Sequence, residues 1–274
     1  MTRLRQWFLV VGCLAVNALS LAKGSALTAD EIVDRYVAAR GGAATWKKIE
    51  SMVWTGHIEA SGAPVTSVPF VMELQRPNMA RFEIMVQNNK SARIFNGNTG
   101  WKVRTTHEGE PEVQDYTPEE VNFARDAAGL DGPLMDYKAK EVTVAAQGMG
   151  DVEGHRAYQL RVTLPSGAVH QVWIDAHSFL ELKYDREIRS ANGRIRTVSV
   201  DYRRYQQVEG LTLPMTIETG NVASKETDKM VIERVALNPK LEASIFAKPI
   251  VFKHRSVVSV GDSPIPGGAP PGSH

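Results

Sequence analysis

The sequence predicts a mainly β fold with some α: one meandering antiparallel sheet of about ten or eleven strands, strongly curved or nearly closed. Three observations carry this. From Ser51 onward apolar and polar residues alternate with a period of two, as in Val68, Phe70, Met72 and Leu74 against Pro69, Val71 and Glu73. Such alternation marks half-buried antiparallel strands with one wet face. The runs are short, evenly spaced and separated by turn residues such as Asn96-Gly97-Asn98-Thr99-Gly100 and Ala191-Asn192-Gly193, which favour hairpins. Helical periodicity is confined to the start of the chain and to one insertion near residue 117.

The first segment reads as an export signal. Arg3 and Arg5 precede an apolar run from Trp7 to Leu21, and Ser20-Leu21-Ala22 places small residues at the cleavage-determining positions. Residues 1–22 are therefore expected to be a signal peptide that is removed, the alternative being an uncleaved anchor. The run is short for a membrane span. Val10-Val11-Gly12-Cys13 matches a lipoprotein box only weakly, because the apolar run continues past Cys13. Without this one cysteine the mature chain can form no disulfide, thiolate metal site or Cys nucleophile, which fits a bacterial periplasm.

The chain has 274 residues, 43% hydrophobic and 23% charged, ample material for one large all-β domain or two small ones. Without Arg3 and Arg5 it carries 30 basic residues against 31 acidic. No charge excess points to nucleic acid or to an anionic membrane surface.

In order, Thr28 and Glu31 form a capping box, followed by an apolar helical face of Ile32, Val33, Tyr36 and Val37. Gly41-Gly42 stops this helix, and Trp46 and Ile49 belong to a second, short one. Met52, Trp54 and Ile58 then alternate with Thr55, His57 and Glu59, and Pro69 marks an edge or a bulge in the next strand. Arg76-Pro77-Asn78 turns into a strand carrying Ala80, Phe82, Ile84 and Val86, and Trp101 opens another. Thr117-Pro118-Glu119-Glu120 starts a helix with a capping Thr, Pro at its first position and acids in its first turn. This insertion, 117–137, is apolar enough to pack over the sheet, either as a fixed part of the core or as a mobile lid. Strands resume from Tyr158 and continue to Leu237, and the Gly/Pro-rich tail, 253–274, is expected to be disordered.

Chemistry is harder to find. His57, His107, His155, His170, His177, His254 and His274 are dispersed, with no ligand spacing, so no metal is expected. Ser166-Gly167 has no nucleophile-elbow pattern, and Gly97 and Gly100 belong to a hairpin rather than a phosphate loop. No catalytic residue and no cofactor is assigned. What remains is shape. Trp54, Phe70, Met72, Leu74, Phe82, Ile84 and Trp101 supply the concave side of a curved sheet. They either fill a core or line an apolar cavity for acyl chains, to which methionine adapts well.

Leu74-Gln75-Arg76-Pro77-Asn78-Met79 followed by Phe82, then the hairpin from Gly97 to Trp101, resembles the LolA-like periplasmic lipoprotein carriers and the wider group of outer-membrane lipoprotein-sorting proteins. Gly41-Gly42, the strand pair from Tyr202 to Leu213, and Ser244-Ile245-Phe246 with Pro249 resemble the wider group. The resemblance covers 28–252 as a single domain. It implies an incomplete, open antiparallel β-barrel with a helical lid over an apolar concave face, and Arg76 as the lid latch. A guanidinium offers five donors, enough to hold unpaired carbonyls at lid-helix ends.

By resemblance the protein would be a periplasmic monomer and not an enzyme. It would bind lipoprotein acyl chains or other lipids in outer-membrane lipoprotein sorting, between an inner-membrane donor and an outer-membrane acceptor. The alternative is an envelope lipid-sensing or regulatory module with the same fold, acting through a protein partner. Ala80 stands where the carriers often show an aromatic, which favours a carrier-like binder over the carrier itself.

Overall fold

The structure is a computed structural model that describes residues 26–61, 67–87, 89–106, 109–189, 195–221 and 227–250. The expected signal peptide (1–22), Cys13, His107, the Ala191-Asn192-Gly193 turn, His254, His274 and the 253–274 tail lie outside the described residues.

Helix α1 spans Ala29–Ala39. Its capping box is formed: the Thr28 hydroxyl accepts from the Glu31 N–H at 3.2 Å, and the Glu31 carboxylate accepts from the Thr28 N–H at 2.8 Å. Gly41, at φ 107°, ends the helix against the turn at Glu209-Gly210, where a Cβ would stand 2.3 Å from the Gly210 carbonyl oxygen. Only glycine meets both demands. Helix α2 follows at Ala43–Trp46.

Thirteen strands are formed among the described residues: β1 Ser51–Ala60, β2 Val68–Gln75, β3 Met79–Val86, β4 Asn89–Phe95, β5 Gly100–Thr105, β6 Pro111–Asp115, β7 Thr143–Val152, β8 His155–Thr163, β9 Val169–Asp175, β10 Glu181–Arg189, β11 Ile195–Val208, β12 Leu211–Asn221 and β13 Thr227–Leu237. Helix α3, Pro118–Ala127, interrupts them, and a short 3-10 helix, Ala243–Phe246, follows. Among the described residues no helix is long and apolar enough to cross a membrane. The strands form one antiparallel sheet in the order β6-β5-β4-β3-β2-β1-β13-β12-β11-β10-β9-β8-β7. Each half is a meander, and the last strand closes beside the first. Edges β6 and β7 do not pair, so the barrel is open.

The count exceeds the ten or eleven expected because some strands carry little alternation. β6 is five residues long, and β7 reads TVAAQGMGDV, mostly small and mostly exposed. Pro69 sits in an interior strand, yet beyond the end of the β2–β3 ladder, which begins at Phe70.

Both helices and the segment 128–142 lie on one face, here the inner face. Ile32, Val33 and Tyr36 of α1 pack with Leu134, Leu160, Val162, Val172 and Ile174. Trp46 packs with Met52, Leu74, Leu130, Met135, Leu211 and Leu213. The sheet's curl follows from α3. Strands β5 and β10 are eight spacings apart in the sheet, about 38 Å if it were flat. Glu120 of α3 nevertheless pairs with Lys102 of β5, and Phe123 stacks on Arg186 of β10. Both halves must fold inward to meet one short helix. On the outer face the C-terminal segment runs back over the first half: the 3-10 helix contacts β3, Phe246 is buried, and Lys248 pairs with Asp115 at 2.8 Å.

Candidate functional site

Strand register decides which side chains share the inner face. One cross-strand row reads Trp54, Met72, Phe82, Arg93, Lys102 and Gln114. The next reads Gly56, Phe70, Ile84 and Ser91. Arg104, two residues beyond Lys102, shares this face and pairs with Glu112. Each row is apolar at the centre of the sheet and polar toward its β6 edge.

The apolar part is a trough that adjoins the α2 cluster through Trp54, Met72 and Val235 and runs on beyond it. Its buried floor is Phe70, Met215 and Ile232. Around the floor stand the half-buried Trp54, Ile58, Met72, Phe82, Ile84, Ile217, Met230 and Val235. The Phe70 and Phe82 rings lie 5.9 Å apart, and the Trp54 indole N–H has no hydrogen-bond partner. Toward β4–β6 the trough opens into a cavity of about 380 Å³, lined by Phe82, Ile84, Ser91, Arg93, Lys102, Arg104 and Gln114.

The seven residues expected on the concave side therefore divide. Trp54, Met72, Phe82 and Ile84 line the trough, and Phe70 forms part of its floor. Leu74 shares their face but is buried beneath Trp46 and Met135. Trp101 lies on the other face: it pairs with Ile94 and Asp115 and packs with Ala92, Val103 and Val113. Lys102 takes the inner position beside it.

The insertion divides too. Its second half and the residues that follow, 128–142, are core: Ala128, Leu130, Leu134, Met135 and Val142 are buried. Its first half, α3, buries no residue. Polar contacts hold α3 across the trough. Lys102 donates to both Glu120 carboxylate oxygens at 2.9 Å. The Asn78 amide donates to the Arg125 carbonyl at 2.9 Å, and the Ser166 hydroxyl to Asp126 at 2.5 Å. The Arg186 guanidinium stands 4.4 Å from the Phe123 ring, whose side of the helix faces water at 48% exposure. Glu120 also closes the α3 capping box, accepting from the Thr117 N–H at 3.0 Å. Burial opposes its charge, but the Thr117 and Lys102 hydrogen bonds prevail and hold its carboxyl below the usual range.

Arg76 serves the buried half. Its guanidinium donates to the Ile49 carbonyl at 2.8 Å, the Trp46 carbonyl at 3.1 Å and the Asp131 carboxylate at 2.9 Å. Two of these acceptors are carbonyls at and just beyond the end of α2; the Trp46 carbonyl also accepts from the Ile49 N–H at 3.1 Å, and Arg76 serves the Ile49 carbonyl beyond it. Lys140 meets the other Asp131 oxygen at 2.5 Å. Asp131 is buried, which disfavours its charge, yet Lys140 and Arg76 together keep it below the ordinary carboxylate range.

Two titratable groups mark the two ends of the inner face. Near α1, burial pushes the Glu181 carboxyl up to about 7 against the pull of Arg40. Arg40 itself is buried, donating to the Thr212 carbonyl at 2.9 Å and the Tyr36 hydroxyl at 2.6 Å. Near α3, burial and then Arg186 push His170 down to about 4, its ring stacked 4.8 Å from Tyr184. In a polar groove of about 260 Å³ beside Glu153, His155, Asp201 and Arg203, Arg203 meets Glu153 at 2.7 Å and Glu218 at 3.4 Å. Among the described residues no group of three or more His, Cys, Asp or Glu could hold a metal ion.

Sequence reasoning missed Arg93, Lys102, Arg104 and Glu120. The Gly97–Gly100 hairpin could have found the first two: its turn sets Phe95 opposite Gly100, and hence Arg93 opposite Lys102.

No family model matches the chain, and no curated protein matches it. Solved structures do. A LolA superfamily protein from Nitrosomonas europaea aligns with a TM-score of 0.55 at 14% identity, covering 81% of this chain and 99% of its own. This chain has a LolA-like fold. A DUF1329 family protein from Desulfovibrio piger gives a TM-score of 0.52 at 13% identity, with 80% and 97% covered. A putative outer membrane lipoprotein-sorting protein domain from Vibrio parahaemolyticus gives 0.52 at 10% identity, with 80% and 95% covered. The LolA-like likeness extends over both halves of the sheet, which its resemblance at the Arg76-Pro77-Asn78 turn and the Gly97–Trp101 hairpin had implied.

Proposed function

We propose that this protein binds a long acyl chain, from a lipidated protein or another lipid, in the trough beneath α3. One observation carries the reading. Half of the inner face is a packed core, while the other half leaves Trp54, Met72, Phe82 and Ile84 half-buried beside α3, a helix with no fully buried residue. An apolar chain gains about 0.8 kcal/mol per buried CH₂ on such a surface. The LolA-like fold, shared with a structure named for lipoprotein sorting, supports the same reading.

On this reading residues 1–22 direct export, and the domain 28–252 works in the periplasm as a carrier-like monomer in outer-membrane lipoprotein sorting. It would take cargo from an inner-membrane donor and pass it to an outer-membrane acceptor. It is a binder rather than an enzyme. Arg76 is its latch, fastening α2 to Asp131.

Native mass spectrometry of protein taken from the periplasm without detergent tests this directly. A bound mass matching a fatty acid, phospholipid or lipoprotein is expected, with uptake of a fluorescent fatty acid that falls about tenfold in Phe82→Glu. A clean unliganded mass with no uptake, or uptake indifferent to Phe82→Glu, sinks the proposal.

A further inference from the structure

We propose that the trough selects an anionic lipid, with its chain on Phe82 and Ile84 and its head group on Arg93, Lys102 and Arg104, in the place now taken by Glu120 of α3. This rests on the acyl-binding reading above and adds the head-group chemistry and a coupling to α3.

The register places the two halves of such a ligand together. Phe82, Arg93 and Lys102 are directly paired neighbours on β3, β4 and β5. One strand spacing, about 5 Å, therefore separates Phe82 from Arg93, and two, about 10 Å, separate it from Lys102, and all three line the same cavity. Alternation of apolar chain and cation along one row matches one amphiphile, not two ligands.

The charges on this face are Arg93, Lys102 and Arg104 against Glu112 and Glu120. Glu112 is engaged by Arg104 at 2.9 Å and by the Gln114 amide at 3.1 Å. Arg93 reaches Glu120 only at 3.8 Å, is 61% exposed, and also interacts with the Tyr116 hydroxyl. Lys102 is spoken for, but by a carboxylate with both oxygens turned to it. That carboxylate is an internal stand-in for the head group. Removing Glu120 leaves three cations against one carboxylate, an excess that only an anion satisfies.

Glu120 has a second duty, because it also accepts from the Thr117 N–H in the α3 capping box. A head group that displaces Glu120 from Lys102 therefore unties α3 from β5, and α3 has no buried side chain to hold it down. Head-group recognition and release of the helix become one event.

Titration of the purified protein with decyl phosphate, decanol, decyltrimethylammonium and inorganic phosphate tests this. Decyl phosphate is expected to bind about tenfold more tightly than decanol, with the cationic chain weaker still and inorganic phosphate undetected. In the Arg93→Gln, Lys102→Met double variant the ratio of decyl phosphate to decanol affinity should fall to near one. Decyl phosphate should also raise hydrogen exchange in α3, and decanol should not. Equal affinity for decanol and decyl phosphate overturns the head-group assignment while leaving chain binding standing. So does a preference unchanged in the double variant, or competition by inorganic phosphate as strong as decyl phosphate. If neither ten-carbon chain binds, the acyl-binding reading falls and this inference with it.

Discussion

Trp46 and Met135 press α2 and the 128–142 segment onto Met52, Leu74, Leu211 and Leu213, and Leu134 packs with α1 on Leu160 and Val172, whereas α3, a few residues earlier in the same insertion, has no fully buried residue. Both lie on one sheet face, and both are apolar enough on paper to join a core. Magnitudes separate them. A fully buried aliphatic or aromatic side chain contributes roughly 1.5–3 kcal/mol by burial alone. An exposed ion pair contributes about 0.2–1 kcal/mol. The packed end is thus a fixed plug, and α3 is a strap whose contacts with Lys102, Asn78, Ser166 and Arg186 can be traded one at a time. The same face supplies stability at one end and access at the other.

The contrast can be broken most sharply at the plug. Trp46→Ala empties the centre of the packed cluster and should cost about 3–5 kcal/mol in urea unfolding. A loss below about 1 kcal/mol would show that the helices there are not core.

Arg76→Leu comes next. It takes the guanidinium from the Ile49 carbonyl, leaves the Trp46 carbonyl only the Ile49 N–H and gives Asp131 only Lys140, for a loss of about 1–3 kcal/mol. Hydrogen exchange should quicken in α2 and 128–142 and stay unchanged in α3. If α3 quickened instead, Arg76 would be a latch for the strap and not for the plug.

Acid and base should divide the ends as well. Glu181 has a folded value of about 7 against an ordinary 4.5, so the folded state resists its ionisation. Its contribution to stability is full below 4.5 and is lost as pH rises to about 7. His170 has a folded value of about 4 against an ordinary 6.5. The unfolded chain takes up its proton first, so stability is lost as pH falls from 6.5 toward 4. Denaturation midpoints across pH 4–8 should flatten on the alkaline side in Glu181→Gln and on the acid side in His170→Gln. Unaltered profiles would remove these two groups from the pH response.

The smallest effect is expected at the strap. Phe123→Ala should change stability by less than about 1 kcal/mol, since the ring is half exposed and meets Arg186 by a cation–π contact. It should nevertheless quicken exchange across α3. A loss comparable to Trp46→Ala would erase the distinction between strap and plug.

Particular residues show how far reading from sequence reaches. Thr28 with Glu31, and Thr117 with Glu120, announce the two capped helices, and both capping boxes form. Capping is local chemistry within four residues, so it survives the absence of tertiary information. Trp101 shows the limit. Its side of the sheet relative to Phe82 depends on how β4 is counted, and β4 begins with Asn89, Lys90 and Ser91, which carry no alternation. A one-residue ambiguity in a strand moves a side chain to the other face. The insertion shows a second limit: Val121, Phe123 and Ala124 resemble Leu130, Leu134 and Met135 in composition, and nothing near them says which group will be covered.

By itself, then, the sequence determined the antiparallel meander, the capped helices and the apolar strands of the inner face, because alternation, caps and turns act over a few residues. The tertiary structure alone decided that the sheet curls until α3 spans it, that Arg93 and Lys102 continue the row of Phe82, and that Trp101 turns outward. Those outcomes depend on register and curvature summed over thirteen strands, where each small twist and pairing choice accumulates across the whole sheet.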